Sequence, residues 1–417
     1  MNRTPRIRPV VSCTLLAVTL AAGTTACGGS GHPLAEKPYD AADEISSNVS
    51  EGDQKVDPDK PLEVTVDDDE GRITDVTAVD TAGRHLAGEL DADGKRWHST
   101  APLAAGTRYT VRVGVEDGDG APGSRTLSFG TTAAKKFLKV VFGPRAGTYG
   151  VGQPITAELS APVRDRASRA TVERALRVRS TPAVTGSWYW VDDKTLHYRP
   201  KEYWPARATI EVTSGLDGIR VTDTLHGAPA KALKLTTGDR IEAITDAAAH
   251  SMTVKRNGKV IKTIPVTTGK PGFATRNGVK VVLGKEYRVR MRGETIGIAA
   301  GSSDSYDLQV YYATRVTWSG EYVHAAPWST GSQGYANVSH GCTGMSTGQA
   351  EWFFNTVREG DIVEVVGSQG ETMAPFGNGY GDWNLSWATW LKGSALQKNP
   401  APDRSDTIQA ARLRPEV

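Results

Sequence analysis

The chain has 417 residues, of which 38% are hydrophobic and 23% charged, an ordinary globular composition with room for two to four domains. The net charge of +2 removes any broad electrostatic case for nucleic acid as a partner.

Arg3, Arg6 and Arg8 precede an apolar run from Val10 to Ala22, which is short of the roughly 20 apolar residues that span a bilayer. Basic, then apolar, then small residues is the order of a secretory signal, so residues 1–26 are expected to be a leader. The segment Gly23-Thr24-Thr25-Ala26-Cys27 resembles a bacterial lipobox, with Thr24 where an aliphatic residue is usual. The resemblance implies that Cys27 is lipidated and anchors the chain on the outer, wall-facing side of the cell membrane. The alternative is ordinary cleavage near Ala26. Cys13 is discarded with the leader. If Cys27 carries lipid, Cys342 has no disulfide partner, and an unpaired exported thiol is better explained by reactivity than by stability.

Residues 27–60 are polar, acidic and rich in Gly, Ser, Asp and Pro, and read as a flexible tether. From 61 to 134, short alternating segments such as Leu62-Val64-Val66, Tyr109-Val111-Val113 and Leu127-Phe129 are separated by Asp-Gly, Ala-Gly and Pro-Gly turns. This pattern predicts a β-sandwich. A second such region, 135–238, includes Phe137 to Phe142, Trp188-Trp190 and Ile210-Val212, with a helical segment near Thr171 to Val178. Lys95-Arg96-Trp97-His98 and Lys194-Thr195-Leu196-His197 hint at a repeat, which duplicated immunoglobulin-like modules would explain. His98 and His197 lack metal-type partners and read as strand-face residues.

Residues 239–367 form the third region. Ser251 to Ile261 carries Asn257-Gly258 between two strand patterns, a hairpin signal. Further strands are expected at Val279 to Leu283, Val310 to Val316 and Ile362 to Val366. Ser346 opens a capping box, and Ala350, Phe353, Phe354 and Val357 have helical spacing ended by Gly360. Cys342 therefore sits on a loop several residues before a helix, too far for much help from the helix dipole. Residues 368–398 form a Gly- and aromatic-rich cap. Its Trp383, Trp387 and Trp390 are expected to pack on the neighbouring domain, with glycan stacking as the alternative. Residues 399–417 read as a disordered tail.

Cys342 lies among Ser339, His340, Gly341, Thr343 and Gly344, a loop composition unlike the core strand where a structural cysteine would sit. His324 and His340 are close upstream. A thiol beside an imidazole is the minimal kit for a cysteine nucleophile, because the attacking species is the thiolate and the His takes the proton. No third ligand of suitable spacing joins the two histidines, so no metal and no cofactor are expected.

Ser339-His340-Gly341-Cys342, with His324 in Val-His-Ala-Ala-Pro-Trp, resembles the signature of the YkuD-type L,D-transpeptidases, which rebuild peptidoglycan cross-links. The resemblance runs from about Arg240 to Trp390 and includes Asn277-Gly278, Met291, Tyr306 and Gly381-Asp382-Trp383-Asn384. The layout is similar to multidomain actinobacterial members with two immunoglobulin-like modules. The fold class implied is mainly β: two sandwiches, a β-rich catalytic domain, a short helix after the catalytic loop and an aromatic cap.

The resemblance assigns Cys342 as nucleophile, His324 as general base and later acid, and His340 as a residue that shapes the loop and lines the acceptor side. Ser339 belongs to the same motif. A backbone carbonyl after His324, here that of Ala325, orients the imidazole. Amides near Gly341, Cys342 and Thr343, with the Tyr306 hydroxyl, would face the oxyanion. Met291 and Trp328 are expected in the donor pocket, with core packing as the alternative. The implied substrates are a tetrapeptide donor stem, attacked at its third-residue carbonyl with loss of D-alanine, and an amine acceptor. Carbapenem-type β-lactams are the implied covalent inhibitors. Three departures stand out: Gly344 where Asn is usual, Ile296 where Tyr is usual and Ala325 where Ser is common. A cysteine hydrolase (an L,D-carboxypeptidase) and a non-catalytic wall-binding scaffold are the competing readings. The first usually places its His after the Cys, and the second has no use for an intact Cys342, His324 and His340.

Overall fold

The computed structural model describes residues 37–397. The expected leader, Cys27 with its lipobox, the start of the expected tether and the tail 399–417 lie outside the described residues.

The tether reading must be corrected from residue 37 onward. Tyr39–Asp40 pairs in parallel with Pro122–Gly130, and Ile45–Ser47 pairs with Glu63–Val66. Ala41, Ile45 and Val49 are buried in the first core. Three well-spaced apolar residues suffice to dock a polar segment on an existing sheet.

The first module is a sandwich whose strands follow period-2 burial. Along Arg108–Glu116, Tyr109, Val111, Val113 and Val115 face in while Arg108, Thr110 and Arg112 face out. The inner faces meet around Leu62, Val64, Trp97, Leu127 and Phe129. The second module repeats the first. In one sheet of each module a short strand pairs in parallel with a long one: Tyr39–Asp40 with Pro122–Gly130, and Gly147–Tyr149 with Leu233–Thr237. In the other sheet, Arg96–Ser99 and Thr195–Pro200 hold the same third place in the strand order. His98 and His197 therefore do sit at equivalent positions. The helix in the second module is Arg166–Ala175, earlier than expected, because the Asp165 carboxylate accepts from the Ser168 N–H at 2.8 Å and starts it. Val178 belongs instead to Leu176–Thr181, opposite Val212.

The third domain is another two-sheet structure. Its five-stranded sheet runs Lys259–Pro265, Ser251–Arg256, Ile241–Asp246, Ile362–Val366, Gly278–Val281. Its four-stranded sheet runs Gly284–Arg292, Asp307–Arg315, Tyr322–Ala325, Thr343–Met345. Met252, Val254, Ile264, Val323, Met345 and Val363 fill the space between them, with Phe353 from the helix Thr347–Thr356.

The second and third domains share their packing. Ile362 belongs to the second module's core, whereas its neighbour Val363 belongs to the third domain's core. The Gly150 and Gly152 amides donate to the Glu359 and Gly360 carbonyls at 2.7 and 2.9 Å. The cap completes the joint. Trp383 Nε1 donates to the Gly152 carbonyl at 2.8 Å and Trp390 Nε1 to that of Ser187 at 3.0 Å. The Arg199 guanidinium lies 4.8, 5.5 and 4.6 Å from the ring centres of Trp383, Trp387 and Trp390. His197 Nδ1 meets Asp382 Oδ1 at 2.7 Å. The tryptophans pack on the neighbouring module, as the first of the two sequence readings holds.

Candidate active site

The site is organised by one parallel strand pair. Tyr322–Ala325 lies beside Thr343–Met345, with Val323 opposite Thr343 and His324 opposite Gly344. This register sets Cys342, one residue before its strand, close to the His324 strand. Both side chains open into one cavity of about 790 Å³. Met291, Tyr306, Trp328, Ser339, His340 and Gly341 line the same cavity. Thr343 is not in that lining. It is buried in its strand.

His324 is buried, and its Nδ1 lies 2.8 Å from the carbonyl oxygen of Ala325. A carbonyl only accepts, so Nδ1 carries the proton and Nε2 is left with a lone pair. Burial lowers the pKa of this histidine, and the bond to Ala325 opposes that only in part. The imidazole is therefore neutral and basic at neutral pH.

The Cys342 thiol donates to the Gly320 carbonyl at 3.6 Å. Burial pushes its pKa up to about 12; the Tyr322 N–H pulls it down, Glu321 adds to the rise and Lys280 opposes it. The resting pair is thus thiol and neutral imidazole.

His340 stands apart from that pair. Its ring packs against Phe273 and Tyr306, with centroids 4.8 and 4.9 Å away. Its Nε2 is 3.5 Å from Asp304, which Lys270 holds at 2.5 Å. Burial and Lys270 lower its pKa while Asp304 raises it. Burial raises the pKa of the Tyr306 hydroxyl and keeps it in its protonated, donating form. Trp328 is half exposed with its ring 6.1 Å from His324, which excludes a core role for it. Met291 does both jobs, lining the cavity and packing on Val310, Ala313 and Tyr322. The side chain of Ile296 lies outside the described residues.

The loop before Cys342 is tightly braced. Gly341 has φ +121°, a conformation side-chain-bearing residues rarely adopt. Its carbonyl accepts from Thr275 Oγ1 at 2.8 Å and its amide donates to Ser339 Oγ at 3.2 Å. Ser339 Oγ donates in turn to the Cys342 carbonyl at 2.7 Å. The Gly341 amide is therefore engaged within the loop. Gly344 exchanges backbone bonds with Thr267 at 2.8 and 2.9 Å. A Cβ there would lie 3.0 Å from Ala326 Cβ and 3.1 Å from Thr267 Cγ2, so the side chain usual in the family would force those two groups to shift. Thr267 braces the loop instead: its hydroxyl donates to the Ala336 carbonyl at 2.8 Å and accepts from the Val338 amide at 3.0 Å. Sequence reasoning missed Thr267, Thr275, Lys280 and Glu321. The only available signal was a polar Thr267-Thr268 pair directly after the apolar Ile264-Pro265-Val266.

The YkuD family, described as the L,D-transpeptidase catalytic domain, matches residues 240–365. L,D-transpeptidase 2 of Mycobacterium tuberculosis (strain CDC 1551 / Oshkosh) is 33% identical over 400 residues, 94% of this chain and 96% of that protein. The chain belongs to the L,D-transpeptidases. L,D-transpeptidase 5 of M. tuberculosis (strain ATCC 25618 / H37Rv) is 32% identical over 95% of this transpeptidase and 88% of its own length. A bacterial Ig-domain family matches residues 53–220 and so runs across both sandwiches of the transpeptidase. A solved L,D-transpeptidase structure, LdtMt1 in complex with imipenem, shares 39% identity over 55% of this chain and 99% of that one, with a TM-score of 0.48.

Proposed function

We propose that this L,D-transpeptidase works through a Cys342 thioester with His324 as its only proton shuttle. The observation that carries the reading is the Ala325 carbonyl on His324 Nδ1, which leaves Nε2 as the free base in the cavity it shares with Cys342. The sulfur attacks the third-residue carbonyl of a tetrapeptide donor stem while the thiol proton passes to Nε2. The tetrahedral intermediate collapses with cleavage of the C–N bond, and His324 returns its proton to the departing D-alanine amine. An acceptor amine then attacks the thioester, His324 takes the amine proton, and the sulfur leaves and is reprotonated. The Tyr306 hydroxyl, near the sulfur and protonated, is the donor for the oxyanion. His340, walled by Phe273 and Tyr306, shapes the acceptor side.

Carbapenem-type β-lactams should acylate the same sulfur, since their ring carbonyl is attacked as the stem amide is. The test is adduct mass after carbapenem treatment of purified protein. Wild type should gain one adduct, Cys342→Ser none, and His324→Ala should react more slowly by about 10² to 10⁴. His340→Ala should retain most of the rate. Abolition by His340→Ala with a normal His324→Ala would reverse the two roles. Supplying a tetrapeptide stem with and without an amine acceptor separates transfer from hydrolysis. We further propose lipid anchoring at Cys27, supported by the leader and lipobox. Cys27→Ala should free the protein from the membrane fraction, and unchanged retention would contradict it.

A further inference from the structure

Lys280 has no exposed side-chain surface, yet it is a charged residue at the centre of a strand. Its Nζ lies 2.6 Å from Glu321 Oε2, at an angle outside that of a good hydrogen bond. The other carboxylate oxygen, Oε1, accepts from Arg276 Nη1 and from the Arg276 amide, both at 3.1 Å. A buried pair of this kind is a poor source of stability, because removing two charges from water costs about as much as their attraction returns. Its position points to another role. Glu321 lines the Cys342 cavity, and its two chain neighbours hold the sulfur. The Gly320 carbonyl accepts from the thiol, and the Tyr322 amide favours the thiolate.

The charges around the sulfur are therefore few and opposed. Glu321 disfavours a negative sulfur and Lys280 favours it. Arg276 neutralises Glu321 from the cavity side. Tyr306 and Tyr322 are held neutral by burial, as is His324. Asp304, Lys270 and His340 form their own group on the far wall. Lys280 is the cation whose charge opposes Glu321 at the sulfur. Burial drives its ammonium toward the neutral amine, and Glu321 is what opposes that.

We propose that Lys280 is a positioning residue for the nucleophile: its ammonium, kept charged by Glu321, is the buried positive charge against which the Cys342 sulfur becomes anionic during attack. The inference rests on Cys342 being the nucleophile, and its test reads the thiol directly, with no stem peptide or β-lactam. Full-length protein is alkylated with iodoacetamide from pH 7 to 10, and the modified Cys342 peptide is quantified by mass spectrometry. Lys280→Met leaves the carboxylate without this cation and should slow alkylation about tenfold, as one unit of displaced ionisation dictates. Glu321→Gln removes the carboxylate that keeps Lys280 charged, so the sulfur loses both charges together and the rate should stay near that of wild type. The double variant should match Glu321→Gln. A merely structural pair would lower the melting temperature in both single variants and leave the alkylation rate of Lys280→Met at the wild-type value. A folded Lys280→Met that alkylates like wild type overturns the proposal, as does a double variant as slow as Lys280→Met. If Lys280→Met does not fold, Lys280→Gln, which keeps a polar group against the carboxylate, decides: a slower rate upholds the proposal, and an unchanged one overturns it. Failure of the nucleophile assignment would appear separately, as normal acylation of Cys342→Ser.

Discussion

Trp390→Ala should loosen the joint between the second module and the catalytic domain. Trp390 is fully buried in the cap, its Nε1 donates to the Ser187 carbonyl at 3.0 Å, and the Arg199 guanidinium lies 4.6 Å from its ring centre. Truncating a buried Trp to Ala costs about 3–5 kcal/mol. The lost Nε1 hydrogen bond and the lost cation–π contact place this site toward the upper end of that range. Trp390→Phe is the control. It keeps an aromatic face for Arg199 and Tyr189 and removes the N–H, so about 1–2 kcal/mol is expected. Chemical denaturation followed by circular dichroism measures the loss, and calorimetry shows whether module and catalytic domain still melt together. A Trp390→Ala protein within about 1 kcal/mol of wild type, or one no weaker than Trp390→Phe, would refute the view of the cap as a structural bolt.

Carbapenem acylation should rise with pH to a midpoint below the ordinary His value of about 6.5, because burial lowers the pKa of His324, and then stay level to pH 9. A continuous tenfold rise per unit would mean that free thiolate, not a His324-assisted thiol, is the reacting form. Gly344→Asn should destabilise the fold by about 1–3 kcal/mol, since its Cβ presses on Ala326 and Thr267, and a thermal melt unchanged from wild type would show that the strand yields freely. Asp361, buried at the joint, has its carboxyl pushed up to about 7 by burial. An unfolded Asp titrates near about 3.9, so the folded state holds the extra proton between those values and its contribution is lost as pH rises through them. Asp361→Asn should therefore gain melting temperature over wild type between pH 4 and 7 and hold that gain above. An equal difference at pH 5 and pH 8 would contradict the sign.

Much of the architecture is legible in single segments. The period-2 pattern of Tyr109, Val111 and Val113 and the Asn257-Gly258 turn between Ser251–Arg256 and Lys259–Pro265 report local geometry, and both stand in the fold. Cys342 and His324 are legible because a loop motif carries them. What was missed depends on tertiary partners. Ile45 and Val49 look like strays in a polar tether until the sheet they dock on exists. The helix start was misplaced because Asp165 and Ser168 were not read as a cap. Lys280 and Glu321 lie far apart in sequence, and no pattern in either segment announces that a folded β-domain buries one against the other. The crowding around Gly344 likewise depends on Thr267, which arrives from the segment that follows Lys259–Pro265.

Ile362 and Val363 give this enzyme an awkward seam. Side chains on a strand alternate, so two successive residues serve two hydrophobic cores, one on either side. A single inserted or deleted residue just upstream would exchange them and spoil both cores at once. The smallest transplantable piece is accordingly larger than the catalytic sequence motif suggests. A cut near Gly238 strips the hydrophobic cover from Ile362, Val279 and Ala395, whereas a cut near residue 134 severs a lighter contact, built from Arg84, Ala105 and Ile219 against their neighbours. In a shuffling experiment the second module should travel with the catalytic domain and the first should be exchangeable.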